Sequence, residues 1–185
     1  MLRSRKKLNF NWHNIASTIC LAAILSSNGL ALQRKMQFRH LTVDDGLSHL
    51  YVRCIMQDDQ GFMWFGTFDG LNRYDGYQYK VYRYLDKDST SIPSNIIRTL
   101  FKDSNGNLWV GTIDGLCRYD RSQDAFIRFL SDYHYSIESI GEDNDGKFWF
   151  GTGEAGLFIL NPVSNTYTQF THQEGDTTGI SGNYV

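Results

Sequence analysis

Helix signals are what this sequence has least of. After residue 31 no run of apolar residues recurs at the three-and-four spacing of an amphipathic helix. That excludes a phosphoacceptor histidine on a helical bundle, and so phosphotransfer within this chain. It also excludes a phosphate cradle of the kind in which a glycine-rich loop leads from a strand into a helix. His40, His49, His134 and His172 are scattered, and with the cysteines they form no metal-ligand spacing. The acidic run Glu142–Gly146 invites a calcium loop. Setting Gly146 at the sixth position of an EF-hand, however, puts Gly141 at the first, where a side-chain ligand is needed, and Thr152 at the twelfth, where a glutamate is needed. No metal and no cofactor is expected.

Basic charge is also scarce. Net charge is −2, and Arg3, Arg5, Lys6 and Lys7 precede every acidic residue. The chain beyond residue 31 is therefore acidic, which argues against a nucleic-acid partner. No apolar run approaches the roughly 20 residues that span a bilayer. Ile15–Leu25 is shorter, follows the basic cluster and precedes the small residues Gly29 and Ala31. Residues 1–31 read as a signal peptide with cleavage before Leu32, which places the rest outside the cytoplasm. Cys54 and Cys117 then remain. They align with different repeat positions, and two buried, unpaired strand thiols are expected.

What the chain has is 17 glycines, 15% aromatics and only 2 prolines. That mix suits short strands and tight turns. It also has a repeat. Asp58–Thr67, Asp103–Thr112 and Asp143–Thr152 each read D-x-x-G-x-[MLF]-W-[FV]-G-T, with Trp64, Trp109 and Trp149 spaced by 45 and 40 residues. A supersecondary unit of that period stacks on its own copies.

Each copy resolves into four strands. In the second these are Asn95–Lys102, Leu108–Thr112, Leu116–Asp120 and Ala125–Leu130. The first gives Tyr51–Gln57, Phe62–Thr67, Leu71–Asp75 and Tyr77–Tyr82, and the third Tyr135–Glu142, Lys147–Thr152, Gly156–Leu160 and Thr166–Phe170. Four short antiparallel strands, apolar on both faces, describe a propeller blade. The blades run over about 47–85, 92–131 and 134–171. Phe38–Thr42 looks like an outer strand without its blade, and Gly179–Val185 resembles Ser91–Ile97, the run into a first strand. The fold expected for 32–185 is an all-β, incomplete β-propeller: three blades, an orphan N-terminal outer strand and the start of a fourth blade. Propellers close with four to eight blades, so a truncated fragment is expected.

The signature D-x-x-G-x-[LF]-W-[FV]-G-T-x-x-G-L, followed by Arg73-Tyr74-Asp75 and Arg118-Tyr119-Asp120, resembles the two-component regulator propeller repeat. The entry Phe38–Ser48 is similar to the start of such sensors. The resemblance implies the N-terminal part of the periplasmic sensor of a hybrid histidine kinase, many of which bind glycan fragments. It implies a parent in the inner membrane, homodimeric, with further propeller and kinase domains downstream. This chain would then be no enzyme itself. A secreted propeller polysaccharide lyase or glycosidase is the alternative, and an exported scaffold for protein contacts is another.

Trp64, Trp109 and Trp149 share one repeat position with apolar neighbours, so all three are expected in the blade core. Asp69 and Asp114 recur in a T-x-D-G-L frame as turn residues. With the first strand innermost, the turns between second and third strands share one face with the blade connections. That face would carry Phe68, Asp69, Asp86–Asp88, Ile113, Asp114, Asp132–His134 and Gly153–Ala155, including Glu154, and is the candidate ligand face.

Overall fold

The computed structural model describes residues 38–129 and 134–185. The leader, Leu130, Asp132 and Tyr133 lie outside them. Twelve strands form three four-stranded antiparallel sheets. Blade 1 is β1 (Val52–Gln57), β2 (Met63–Thr67), β3 (Gly70–Tyr74) and β4 (Tyr79–Tyr82). Blade 2 is β5 (Ile97–Lys102), β6 (Leu108–Thr112), β7 (Gly115–Asp120) and β8 (Ala125–Phe129). Blade 3 is β9 (Ile137–Glu142), β10 (Phe148–Thr152), β11 (Leu157–Asn161) and β12 (Thr166–Phe170). β1 touches β5 and β5 touches β9, so the first strands are neighbours. The all-β blade architecture is as expected. Phe38–Thr42 pairs with no strand among the described residues.

The repeat signature has a structural reason at each position. Asp103 Oδ1 accepts the backbone N–H groups of Asn105 (3.0 Å) and Asn107 (2.7 Å), which fixes the β5–β6 turn. Its Oδ2 accepts the Trp109 indole N–H at 2.9 Å. Asp58 does the same for Gln60, Phe62 and Trp64, and Asp143 for Asp145, Lys147 and Trp149. The turn carboxylate thus also locks the tryptophan rotamer. The glycine after the tryptophan makes room for the next blade. A Cβ on Gly66 would stand 2.6 Å from Ile97 Cγ2, and one on Gly111 2.9 Å from Ile137 Cγ2. The threonine hydroxyl donates to the carbonyl of the glycine that opens or immediately precedes the third strand, at 2.9 Å for Thr67–Gly70 and Thr112–Gly115 and 2.8 Å for Thr152–Gly156.

Arg-Tyr-Asp divides three tasks. Arg73 and Arg118 lie over Trp64 and Trp109, with the guanidinium carbons 5.8 and 5.9 Å from the ring centroids. Tyr119 packs edge-on against Trp64 of the preceding blade, centroids 4.9 Å apart. Asp75 and Asp120 accept backbone N–H groups in the β3–β4 and β7–β8 turns.

Two cores result, one at each blade contact. Trp64, Leu71, Tyr82, Ile92, Ile97, Leu108, Val110, Cys117, Tyr119 and Phe126 fill the first. Trp109, Leu116, Phe129, Ile137, Phe148, Phe150 and Phe158 lead the second. Cys117 is buried and Cys54 partly so, and both are free thiols. Burial raises both pKa values, to about 11 for Cys54, so neither is an activated nucleophile.

Trp149 departs from expectation. Trp64 and Trp109 are buried at 0% and 1% exposure, but Trp149 is 41% exposed. Its indole keeps the hydrogen bond to Asp143, 2.8 Å. What it lacks is cover, because no blade packs on that face among the described residues. Ile159, moreover, faces it across the β10–β11 pair where the other blades place an arginine. The face beyond blade 3 nevertheless begins as the others do. Gly156 N–H donates to Asn183 O (2.9 Å) as Gly70 N–H does to Asn95 O (2.7 Å). Asn183 Oδ1 accepts from His172 N (2.6 Å) as Asn95 Oδ1 does from Tyr84 N (2.7 Å). Residues 172–185 therefore repeat the bonding of 84–97.

An ionic knot ties blades 1 and 2 at their outer strands. Tyr82 and Tyr119 hydroxyls donate to Asp124 Oδ1, and Lys80 donates to Oδ2. Burial acts to raise the Asp124 pKa, but the bonds from Lys80, Tyr119 and Tyr82 outweigh it and hold the carboxyl at about 2.

Two predictions follow from this packing. Trp109→Ala should cost about 3–5 kcal/mol, whereas Trp149→Ala should cost under about 1 kcal/mol, since little new cavity forms at a half-exposed ring. Urea unfolding of the two variants checks the contrast. Because folding depresses the Asp124 pKa, the stability it confers is present above its unfolded value near 4 and is lost as pH falls toward about 2. Thermal melts between pH 5 and 2 should therefore fall less steeply for Asp124→Asn than for the parent.

Candidate functional site

The turns between second and third strands do share an end of the blades with the connections. Gly70, Ile113, Gly115 and Gly153 donate backbone N–H groups to Asn95, Ile96, Tyr135 and Ser136, which lead into the next first strand. That end carries the expected candidates, in three arrangements.

The first lies on blade 1. β1 pairs with β2 so that Val52 sits opposite Thr67, which brings Tyr51 and Phe68 together, their centroids 4.4 Å apart. His49 stacks on Phe68 from 6.0 Å, and its Nδ1 accepts the Tyr51 backbone N–H at 2.9 Å. Tyr51 remains 55% exposed and Phe68 38%. Beside them Arg83 donates to Asp69, 2.9 Å from Nη2 to Oδ2. The hydrogen bonds from Arg83 lower the Asp69 pKa, and the same contact raises that of Arg83. The approach of Leu47 and Ser48 to this blade is held by buried Asn72. Its Oδ1 accepts the Ser48 N–H (2.9 Å), and its Nδ2 donates to Ser48 Oγ (2.8 Å).

The second is a cluster the repeat pattern gives no hint of. Register shifts fall at Val52/Cys54 and Ile97/Thr99 in the first strands, and at Gly151/Thr152 where β10 meets β9. Arg53, Arg98 and Glu138 follow Val52, Ile97 and Ile137 in equivalent places. They converge across three blades: Arg53 donates to Glu138 at 3.0 Å, Arg98 lies 3.4 Å from it, and Ser136 Oγ donates to it at 2.6 Å. The Glu138 side chain is only 11% exposed. A β-bulge re-aims a side chain, and here it re-aims one per blade. Only the three-dimensional stacking of repeats makes Arg, Arg and Glu a unit.

The third is half-exposed Asp114 with exposed His134, 2.8 Å apart. Glu154 is exposed and takes part in none of the three. Ala155 is buried, its N–H donated to Thr152 Oγ1. Asp88 faces inward to its own loop, accepting from Thr90. Among the described residues, no group of three or more His, Cys, Asp or Glu side chains is placed to hold a metal ion.

Residues 46–69 and 91–114 match the family described as two component regulator propeller. Each match runs from the lead-in through the first two strands to the T-x-D-G turn. These two stretches are similar to two-component regulator propeller repeats. A curated relative, histidine kinase P4 of Formosa agariphila, is 41% identical over 75 residues, covering 40% of this chain and 6% of the kinase. The extracellular domain of a putative hybrid two component system from B. thetaiotaomicron is similar in structure. It has a TM-score of 0.70 and 22% identity over 83% of this chain and 21% of that one. Virginiamycin B lyase from Staphylococcus aureus is similar with a TM-score of 0.57 and 16% identity, over 78% of this chain and 48% of the lyase. At such identities the two structures speak for the propeller fold alone. The chain spans a small fraction of the kinase and of the extracellular domain.

Among these repeats the ionic contacts differ in weight. Glu138→Ala would leave two guanidiniums facing each other and should destabilise by about 2 kcal/mol. Asp69→Ala should cost under about 1 kcal/mol, because its pair with Arg83 is open to water. Differential scanning calorimetry of both variants checks the order.

Proposed function

We propose that this chain is a non-catalytic, extracytoplasmic sensing segment of a hybrid two-component histidine kinase, and that it responds to glycan fragments. The observation that carries the reading is the pair of two-component regulator propeller matches on successive blades, beside a relative that is itself a histidine kinase. The bonding within the blades supports it. Every acidic residue of the signature is committed to a turn, a tryptophan or an ion pair, which is scaffold chemistry. The loop end is where the repeats differ, and recognition gathers on loops held by a rigid scaffold.

In the parent, a membrane-anchored homodimer with further propeller and kinase domains, ligand binding would bias one of two receptor states. It can do so only through different affinities for the two. The leader Met1–Ala31 would deliver the segment to the periplasm. A propeller enzyme is the competing reading, favoured by the fold shared with virginiamycin B lyase.

Incubating the exported chain with a panel of polysaccharides separates the readings. The sensor reading expects no release of reducing or unsaturated ends, together with a melting-temperature rise on adding some oligosaccharide. Cleavage that survives scaffold substitutions but disappears when a loop-face carboxylate (Asp69, Asp114 or Glu154) is replaced would overturn it.

A further inference from the structure

The three blades provide an internal control for function. A residue that serves the scaffold recurs at its repeat position, and one that serves a ligand need not. Along the rim, Tyr51 corresponds to Ile96 and Ser136, because Val52, Ile97 and Ile137 each pair with the threonine that ends the second strand. Phe68 corresponds to Ile113 and Gly153, each directly after that threonine. Blade 1 alone has aromatic rings at both places. The rings are in contact at 4.4 Å, are backed by His49, and stay 55% and 38% exposed. Burying them would be worth more than exposing them, and the aliphatic residues of blade 2 show that the fold does not need them there.

The polar groups around the rings indicate what would rest on them. Asp69 is paired with Arg83 at 2.9 Å, and Arg53, two residues along the strand from Tyr51, is paired with Glu138 at 3.0 Å. His49 is adjacent. The Asp69–Arg83 pair beside the rings is matched one to one and selects no ion of either sign, while Arg53 shares Glu138 with Arg98. What the pairs offer instead is fixed donors beside fixed acceptors. A hydroxyl group both donates and accepts, and a pyranose or furanose ring pairs such hydroxyls with an apolar C–H face. We infer that the rim of blade 1, with Tyr51 and Phe68 as the stacking surface and the Asp69–Arg83 pair as the hydroxyl-binding edge, is a binding site for an uncharged sugar ring. This deepens the sensor reading and rests on it.

The test copies blade 2 into blade 1. The double substitution Tyr51→Ile and Phe68→Ile installs the residues that the same fold already carries at 96 and 113. Its melting temperature should match the parent within a few degrees. Neutral xylo-, cello-, malto- and galacto-oligosaccharides and carboxylated uronate oligomers of equal length are titrated calorimetrically into both proteins. The inference expects a neutral oligosaccharide to bind the parent better than any uronate oligomer. It expects either single Tyr51→Ala or Phe68→Ala to weaken that binding roughly 2- to 12-fold, the range for one aromatic contact, and the double variant to lose it. Binding that is unchanged in the double variant, or a preference for the uronates, overturns the platform and leaves the sensor reading standing. Absence of binding by every saccharide overturns the platform and the glycan-sensing part together. Cleavage of the titrants overturns the sensor reading itself.

Discussion

The carboxylate of Asp103, shared between a turn and an indole, is the constraint on which each blade depends. Two backbone N–H groups bind one oxygen and the Trp109 Nε1–H binds the other. The turn therefore cannot relax without freeing the tryptophan, and the tryptophan cannot rotate without uncapping the turn. Because the indole is buried at 1% exposure between two blades, a local turn is coupled to a contact between sheets. A lost partner there would leave a buried donor or acceptor unsatisfied, which costs more than the bond contributes when made. The same geometry holds in blade 3 at a half-exposed Trp149. The bond, and with it the rotamer, thus does not require a blade packed against the ring.

This coupling explains why so much of the fold is legible in the sequence. A residue type that serves both a turn and an interface must recur at fixed spacing, and D-x-x-G-x-x-W-x-G-T is that record. The glycine before the threonine records the approach of the next blade, since a Cβ there would collide with Ile97 or Ile137. Arg-Tyr-Asp records a cover for the tryptophan, a contact with the blade before and a second turn. Where the pattern lapses, the packing lapses with it. Ile159 stands in the place of Arg73 and Arg118, and the ring it would have covered is open.

The candidate site is legible only in part, and the reason is physical. Phe68, Asp69 and Asp114 are visible because they sit inside the repeat, so topology places them at the loop end. Arg53, Arg98 and Glu138 are not. Each occupies an ordinary strand position, and a bulge that no residue announces re-aims it inward. Their relation is one of mixed signs across 85 residues of chain, from Arg53 to Glu138, and no local pattern encodes it. The aromatic pair Tyr51–Phe68 lies between these cases. Both residues are plain in the sequence, but their contact depends on the register of β1 against β2.

Repetition therefore constrains function by subtraction. The scaffold uses the aspartates, threonines, glycines and two of the tryptophans in every available copy, so each carries a structural cost if altered. Freedom remains where the copies disagree, and in the described blades they disagree at the rim: Tyr51, Ile96 and Ser136, then Phe68, Ile113 and Gly153. A propeller built this way can change its rim without touching its stability, because the rim rings contribute little to the two cores. The bulged inner residues behave differently. Glu138 joins three blades through Arg53 and Arg98, so any ligand that disturbed it would act on the relative placement of blades rather than on one loop. The rim stands apart from the two cores, and the inner cluster ties the three blades to one another.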